Sequence, residues 1–597
     1  MCGIAGILTG SFPPSNLETL IKRTQSALRH RGPDDRGIYI STERQAALAH
    51  TRLSILDLSP TGHQPMSIAN GRYWITFNGE IYNFRELRRT LVAQGEEFHS
   101  QTDTEVILKL YQRLGADCVK HLRGMFAFAI WDDLEKTCFI ARDPLGIKPL
   151  YYWQAGSTLV FASELRAILA TGLPTINLSM EGLYGYLKRG SVPEPHTLIE
   201  GIHCLEAGHV LYWKSGKLSQ QQYWQINFGA EITSLAEAKE KVRAALIDSI
   251  EHHFVSDVPV GIFLSGGIDS TAVLALARQT QKGQLRTYSI AFEETEWNEG
   301  EIARKVAQEF DANHTEYKVT ASGGRELFPK FLEAIDQPSI DGFNTFCVSQ
   351  IAHKYGTKVV LSGLGGDELF GGYQSFQKVP QMVRLSQQLQ ALHPIKSSMG
   401  MVLEHWGNSP RVKRLGDFLQ QTPNSAAAYH SWRGIFSHEE ACAIAKQYLP
   451  DRALPLRSRS NPFANLASLE DEVSLLEISS YMRNQLQRDS DVMSMAWGLE
   501  LRVPFVDHVL IEAIASIESN IRLAPNKQLL IQAVPELPSW VVNRPKHGFA
   551  FPFQQWIGKE WQDYFGQVDC PKNISLNAWY RLWSLAILQY WWQQVST

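Results

Sequence analysis

The chain has no cysteine framework. Its seven cysteines are an odd number without regular spacing, and neither CxxC nor HExxH occurs, which excludes a disulfide scaffold and a structural zinc site. No run approaches ~18 apolar residues, so no membrane span is expected. No basic, apolar, cleavable leader precedes Cys2. The Asn-x-Ser/Thr triplets at Asn177, Asn313 and Asn573 then read as chance matches, and a cytoplasmic, reducing compartment is expected. Charge of one sign is also missing: 57 Lys+Arg face 61 Asp+Glu, a net charge of −4, so neither nucleic acid nor an anionic membrane is an expected partner. The basic cluster Arg85-Glu86-Leu87-Arg88-Arg89 reads as the solvated face of a helix. There is no internal repeat and no low-complexity tract. At 597 residues the chain is too long for one core and calls for roughly two to four domains.

What is present begins at Met1-Cys2-Gly3-Ile4-Ala5-Gly6-Ile7. Once Met1 is removed, Cys2 carries a free α-amine beside its thiol. An α-amine titrates near ~8 and can take the thiol proton directly or through one water. One residue then supplies both nucleophile and base.

Two patterns divide the chain. Residues 1–225 are rich in short β-type runs (3–8, 37–40, 46–49, 73–77, 125–131 and 159–162), interrupted by helical patterns at 16–28 and at 104–114, the second capped by Asp103. Stacked antiparallel sheets with flanking helices are expected. Pro193, Pro195 and the polar stretch 215–222 read as the way out of this domain. From 226 to 597 strand and helix alternate: strands at 258–264, 286–292 and 358–361, helices at 234–252, 271–279, 301–310 and 345–355. That order predicts a parallel sheet covered on both faces. The remainder is mostly helical, and Trp579, Trp583, Trp591 and Trp592 read as helical core packing.

The apolar run 258–264 ends in Ser265-Gly266-Gly267-Ile268-Asp269-Ser270, followed by a helix. Strand, glycine-rich turn and helix aim backbone N–H groups at an anion. Ser265 and Ser270 add hydroxyls, and Asp269 suits Mg²⁺ better than phosphate. The loop is not a Walker A motif, because Gly267 stands where Lys is required. Gly363-x-Gly365-x-x-Glu368 fails the dinucleotide fingerprint. The second glycine-rich loop, Ser362-Gly363-Leu364-Gly365-Gly366-Asp367-Glu368, follows another strand and offers Asp367 and Glu368 as further carboxylates.

SGGxDS after an apolar strand resembles the pyrophosphate-releasing loop of ATP pyrophosphatases. Taken with Cys2-Gly3-Ile4-Ala5-Gly6, the chain resembles class II glutamine amidotransferases of the asparagine synthetase B type. Several ordered motifs carry the likeness: His30-Arg31-Gly32-Pro33-Asp34-Asp35, His50-Thr51-Arg52-Leu53-Ser54, Phe77-Asn78-Gly79-Glu80-Ile81-Tyr82-Asn83, Thr102-Asp103-Thr104-Glu105, Arg142-Asp143-Pro144-Leu145-Gly146, Met493-Ser494-Met495-Ala496, Glu500-Leu501-Arg502-Val503-Pro504-Phe505 and Arg544-Pro545-Lys546-His547-Gly548-Phe549.

The resemblance implies an N-terminal nucleophile α+β sandwich, residues 1–225, joined to an α/β ATP pyrophosphatase-type synthetase, residues 226–597. Cys2 would attack glutamine, with Asn78 and Gly79 holding the oxyanion. Arg52 would take the substrate carboxylate and Asp103 its ammonium, with Glu80 in support. ATP would lie over Leu264, Ser265, Gly266, Gly267, Asp269 and Ser270, near Ile290, Ser362 and Gly363. Asp269 and Asp367 would hold Mg²⁺, and Lys527 would neutralise the leaving pyrophosphate. Ammonia would cross an apolar passage to an acyl-adenylate, made from aspartate to give asparagine, or from another carboxylate such as a uronic-acid unit or a natural-product precursor. A sensor that binds glutamine and nucleotide without catalysis is the remote alternative. A homodimer is an expectation of the resemblance alone. Two positions and one segment depart from it: Leu364 stands where many relatives have Glu, Ile531 where many have Arg, and Arg488-Asp489-Ser490-Asp491-Val492-Met493 reads differently from shorter versions.

Overall fold

A computed structural model describes residues 2–10, 16–294, 297–457, 466, 468–544 and 551–596. Met1 and the motif residues Pro545 to Phe549 lie outside this set.

The first half is two six-stranded antiparallel sheets face to face. Strand Gly3–Leu8 lies inside the first sheet, between Ala46–Arg52 and Thr158–Ala162. Every one of its residues is buried, and its period-2 alternation explains why. Ile4 and Leu8 join Trp131, Ile140 and Trp213 of the second sheet in the core between the sheets. Ala5 and Ile7 face the other way, onto Leu17, Leu20 and Ile21 of helix Leu17–Ala27. Helices Phe84–Ala93 and Asp103–Leu114 cover the outer face of the second sheet with Leu91, Val106, Ile107 and Leu110. The layers are helix, sheet, sheet, helix.

Strand Tyr73–Ile81 runs four residues beyond the apolar run that predicts it and so carries Asn78, Gly79 and Glu80 within the sheet. The cap of the second helix is Thr102, which accepts from the Glu105 N–H at 3.3 Å, rather than Asp103. Asp103 is instead the first helical residue, which releases its carboxylate for the site. The polar stretch at 215–222 is no linker: Lys217–Gln222 is an edge strand paired with His209–Lys214, and it is polar because its side chains are mostly exposed.

The second half is built on a five-stranded parallel sheet. Its order is Asn313–Val319, Arg286–Phe292, Val260–Phe263, Val359–Leu361, Glu500–Arg502. The chain leaves Val260–Phe263 to one side, builds two strands, then returns to its other side. This reversal makes a crevice at the carboxyl ends of Val260–Phe263 and Val359–Leu361, where open α/β sheets bind ligands. The first and last strands in this order escape a periodicity reading: Asn313–Val319 is polar and half-exposed, and Glu500–Arg502 is three residues long. Farther on, helix Trp579–Ser596 buries Trp583 and Trp591 in an aromatic core with Phe328, Phe343, Phe553 and Trp561.

The halves share a core. Tyr82, Met125, Leu145 and Ile147 of the first pack in one apolar cluster with Leu361, Met482, Met495 and Phe505 of the second. Arg123 clamps Asp507 across the boundary at 2.5 Å.

Candidate active site

Strand Gly3–Leu8 delivers Cys2 to its own amino-terminal end, where Asn78 Oδ1 accepts the Cys2 backbone N–H at 3.0 Å. Gly79 follows at φ +153°, where a Cβ would lie 2.1 Å from the Met125 carbonyl oxygen, so only glycine lets the strand turn its N–H here. Cys2, Arg52, Gly79, Glu80 and Asp103 line one small cavity of about 30 Å³, together with Gln64, Thr102 and Thr104. The six glutaminase residues predicted from sequence therefore meet: five line the cavity and Asn78 holds the sixth contact, to Cys2.

Their electrostatics are set by burial. It raises the Cys2 thiol, so the resting group is a thiol rather than a thiolate. Asn78 Nδ2 is buried and has no acceptor among the described residues. An unsatisfied buried donor costs about 1–3 kcal/mol, and an oxyanion would satisfy it. Asp103, 2.9 Å from the Ile81 N–H, is pushed up to about 6 by burial. Arg52 donates to the carbonyls of Leu56, Asp57 and Ser59 at 3.3, 2.5 and 3.1 Å, which fixes its guanidinium at the cavity wall. Burial, with Glu500 next in weight, raises Glu80 well above the carboxylate range. Glu500 is held down against its own burial, with Arg502 bonded to it at 2.5 Å. Arg502 also lies 3.6 Å from Glu80, so the last strand of the parallel sheet ends beside the glutaminase pocket.

A second connection runs under the nucleophile. Arg31 is fully buried and donates to the Cys2 carbonyl at 3.1 Å, to Glu164 at 2.8 Å and to Asp491 at 2.7 Å. Lys148 reaches the other Asp491 oxygen at 3.3 Å. Arg31 and Asp491 stand in segments already quoted from the sequence, but neither they nor Glu164 carry a role there, because a charge shows no partner until folding buries the three together. Asp491 sits on helix Arg488–Met495, which continues the π-helix Glu477–Gln487; through Leu486 that helix borders the cleft at the two glycine-rich loops. We expect Asp491→Asn to lower the melting temperature, because breaking a buried pair costs about 3–5 kcal/mol. Glutaminase kcat should fall with it, since the Arg31 donor under Cys2 loses its anchor. A variant with unchanged melting and turnover would show that the contact carries neither load.

In the second half the crevice forms a cleft of about 270 Å³ lined by Leu264, Ser265, Asp269, Ser270, Ile290, Ser362, Gly363 and Leu364, with Asn344, Thr345 and Leu486 opposite. Gly266 and Gly267 belong to the same turn, Gly266 at φ +74° and Gly267 as the cap of helix Ile268–Thr280. The Ser265 and Ser270 hydroxyls lie 3.1 Å apart. A Cβ on Gly363 would meet Ser270 N at 2.7 Å, so the two glycine-rich loops touch only because that position has no side chain. Lys527, in the left-handed conformation at φ +58°, places its ammonium 2.5 Å from Asp269 Oδ2 and in an ion pair with Asp367. Burial alone would lower the lysine, but the two carboxylates outweigh it and hold it charged. Lys527 is thus tied to both loops, in a backbone conformation uncommon for a non-glycine residue.

Leu364 lines the cleft, where it leaves no carboxylate. Glu368 does not replace one: it is buried away from the cleft, accepts from the Tyr373 hydroxyl at 2.9 Å, and its carboxyl is pushed up to about 8 by burial. Asn344, Thr345 and Leu486 were not foreseen, because a helix start and a π-helix far apart in sequence show no shared pattern.

Comparison with known proteins agrees with this geometry. Residues 1–224 match the model of the glutamine amidotransferase domain and residues 241–593 that of asparagine synthase. The class defined by fold and site is a glutamine amidotransferase joined to an ATP-using ligase. The chain belongs to the asparagine synthase family. It is 32% identical to asparagine synthetase [glutamine-hydrolyzing] 1 of Bacillus subtilis (strain 168), over 95% of this chain and 90% of that one. It is 30% identical to asparagine synthetase [glutamine-hydrolyzing] 3 of the same organism, over 88% and 83%. Amidase chry2 of Gibberella zeae is 27% identical over 96% and 92%. Among solved structures, the allosteric regulatory enzyme of purine biosynthesis aligns at 17% identity over 53% of this chain and 80% of that one, with a TM-score of 0.30.

Proposed function

We propose that the chain is a glutamine-dependent asparagine synthetase of the cytosol, with a glutaminase over residues 1–225 and a synthetase over 226–597. The last antiparallel strand ends at Gln222 and the first helix of the parallel-sheet half starts at Leu235, which supports that division. All seven cysteines are free, as a reducing compartment favours. The observation that carries the reading is the coexistence, in one molecule, of a buried Cys2 gripped by Asn78 and a Lys527 ammonium bridging two glycine-rich loops.

After removal of Met1, the Cys2 amine stays oriented by Asn78 Oδ1 and takes the thiol proton. The sulfur attacks the glutamine amide carbon. Asn78 Nδ2 and the Gly79 N–H receive the developing oxyanion, the amide nitrogen takes the proton held by the Cys2 amine and leaves as ammonia, and water then hydrolyses the glutamyl thioester to release glutamate and restore the thiol. Asp103 holds the substrate ammonium, Arg52 its carboxylate, and Glu80 borders both. Ammonia then crosses the apolar layer of Met125, Ile147, Met482 and Met495, which keeps it from protonation by bulk water. In the cleft a carboxylate attacks the α-phosphorus of ATP, pyrophosphate leaves toward Lys527, and ammonia displaces AMP. The hard carboxylate oxygens of Asp269 and Asp367 fit Mg²⁺, which when bound would neutralise pyrophosphate charge.

The test is a single incubation with ATP, Mg²⁺, aspartate and amide-¹⁵N glutamine. Labelled asparagine with equimolar AMP and pyrophosphate is expected. AMP accumulation without label in any amide would refute the transfer. A pH profile checks Asp103. Its folded value is raised to about 6, so its carboxyl becomes neutral as pH falls through 6 and loses its hold on the substrate ammonium. The KM for glutamine should therefore be flat above pH 6 and rise up to about tenfold per unit below it. A flat KM from pH 7 to 5 would remove Asp103 from that role.

A further inference from the structure

Helix His393–Trp406 is built inside out. Its charged residues, Lys396 and Glu404, are buried at 2% and 1%, whereas Ile395, Met399, Val402 and Trp406 are between 46% and 72% exposed. Their spacing puts these four side chains on one face of the helix. A surface helix of a globular protein shows the opposite arrangement, with its apolar stripe toward the core.

Close packing fixes which face looks outward. A Cβ on Gly400 would lie 2.8 Å from the Gly416 carbonyl oxygen, and one on Gly416 would lie 2.4 Å from the Glu404 N, so the two glycines let helix Pro410–Leu419 press against this one. On the inner face Lys396 donates to Ser386 Oγ at 3.2 Å and to the Gln421 carbonyl at 3.3 Å. Glu404 accepts from Arg457 at 2.5 Å, from Gln420 at 2.7 Å and from the Glu439 N–H at 2.8 Å. Buried charges need such partners. Turning the helix to hide its apolar face would break all of these bonds. Leu392 before the helix and Leu385 in helix Ser375–Gln388 are exposed as well and extend the apolar surface.

The charge around this surface has one sign. Residues 370–438 hold seven Lys and Arg against two acids, Glu404 and Asp417, and both acids are buried. Lys378 lies two turns before Leu385 on the same helix face, and Arg411 opens helix Pro410–Leu419 just past Trp406. Both are exposed, and neither pairs with an acid among the described residues. At the border Arg384 pairs with Glu470 at 2.7 Å and His405 lies 3.4 Å from Glu439. The net charge of −4 averages over this segregation.

An exposed apolar face rimmed by cations, with a tryptophan at its end, matches the boundary between acyl chains and anionic headgroups. A second copy of the chain fits less well, because it would bring the same uncompensated cations against Lys378 and Arg411. We propose that helix His393–Trp406 docks the protein on the surface of an anionic lipid bilayer, with Ile395, Met399, Val402 and Trp406 dipping into the acyl boundary and Lys378 and Arg411 meeting the headgroups. The contact is with the surface: among the described residues no helix is long and apolar enough to cross a membrane.

The test is flotation of the full-length protein with vesicles of phosphatidylcholine alone, or of phosphatidylcholine with about a third phosphatidylglycerol. The protein should float with the anionic vesicles, and less so as salt rises. The double variant Ile395→Gln, Trp406→Gln should bind them at least about tenfold more weakly, since the inserted apolar surface drives the contact. Lys378→Gln with Arg411→Gln should weaken binding about ten- to thirtyfold, from the loss of two cations at the surface. Glutamine hydrolysis and the melting temperature should stay at parent values in all of these variants, because the replaced side chains are exposed. Absence of binding to either vesicle would overturn the proposal, as would equal binding to both or binding unchanged by Ile395→Gln and Trp406→Gln. A concentration-dependent dimer in light scattering that the same double variant dissociates, with no vesicle binding, would give the face to a second copy and overturn it too.

Discussion

Cys2→Ala is expected to reduce glutamine-dependent amide formation by on the order of 10⁴-fold or more, the scale on which a deleted nucleophile acts, while ammonia supplied in solution still yields product at close to the parent rate. The reason is spatial. Cys2 sits at the head of strand Gly3–Leu8 in the antiparallel sandwich, whereas the cleft proposed for ATP lies at the ends of strands Val260–Phe263 and Val359–Leu361 of the parallel sheet. Nothing in the second chemistry needs the sulfur; it needs the nitrogen that the sulfur liberates. The substitution removes a sulfur from a site where its N–H stays bonded to Asn78, so the fold is expected to hold. Glutamine turnover and ammonia-driven synthesis should therefore separate cleanly in a single protein preparation. Loss of both activities from a variant with normal melting would contradict the division of labour. Mass spectrometry should also find Met1 absent from active enzyme, and full glutaminase activity with Met1 retained would rule out the Cys2 amine as the base.

The complementary expectation concerns Lys527. Lys527→Met keeps the length of the side chain and deletes its charge. Pyrophosphate release should fall about 10²- to 10³-fold with glutamine and with ammonia alike, the range seen when one preorganised electrostatic group is removed. Basal glutamine hydrolysis should continue. The physical basis is the pair of contacts to Asp269 and Asp367. A buried ammonium held charged by two carboxylates is stabilised where the cleft's two loops meet, which is where negative charge accumulates when pyrophosphate departs. Without it the two carboxylates repel each other and the departing anion. Retention of adenylation in this variant would remove Lys527 from the reaction. Selective loss of glutamine hydrolysis would assign it to the wrong half.

Much of this was legible from local pattern. The strand that delivers Cys2 is a short apolar run beginning one residue after it, and the loop Ser265–Ser270 is a glycine-rich turn between an apolar run and a helix. Both signals are contiguous, and the chemistry depends on backbone that neighbouring residues shape. Legibility weakened where an element's character depends on neighbours distant in sequence. Lys217–Gln222 looked like a linker because an exposed edge strand has no buried face to mark it. Asn313–Val319 and Glu500–Arg502 were missed because one is polar and the other too short for period-2 alternation to register. Asp103 was read as a helix cap, but Thr102 took that place and left the carboxylate to the substrate pocket.

The sequence by itself determined the two chemistries, the order of their halves and the residues proposed to act in each site, because most of those residues fall in short contiguous motifs. Tertiary structure alone decided how the halves communicate. Arg31 meets Asp491 and Arg502 approaches Glu80 across hundreds of residues. It also decided that Glu368 turns away from the cleft while helix His393–Trp406 turns its apolar face outward. Such contacts are fixed by burial and long-range packing, and a charged residue shows no sign in the one-dimensional chain of which partner the fold will bring to it.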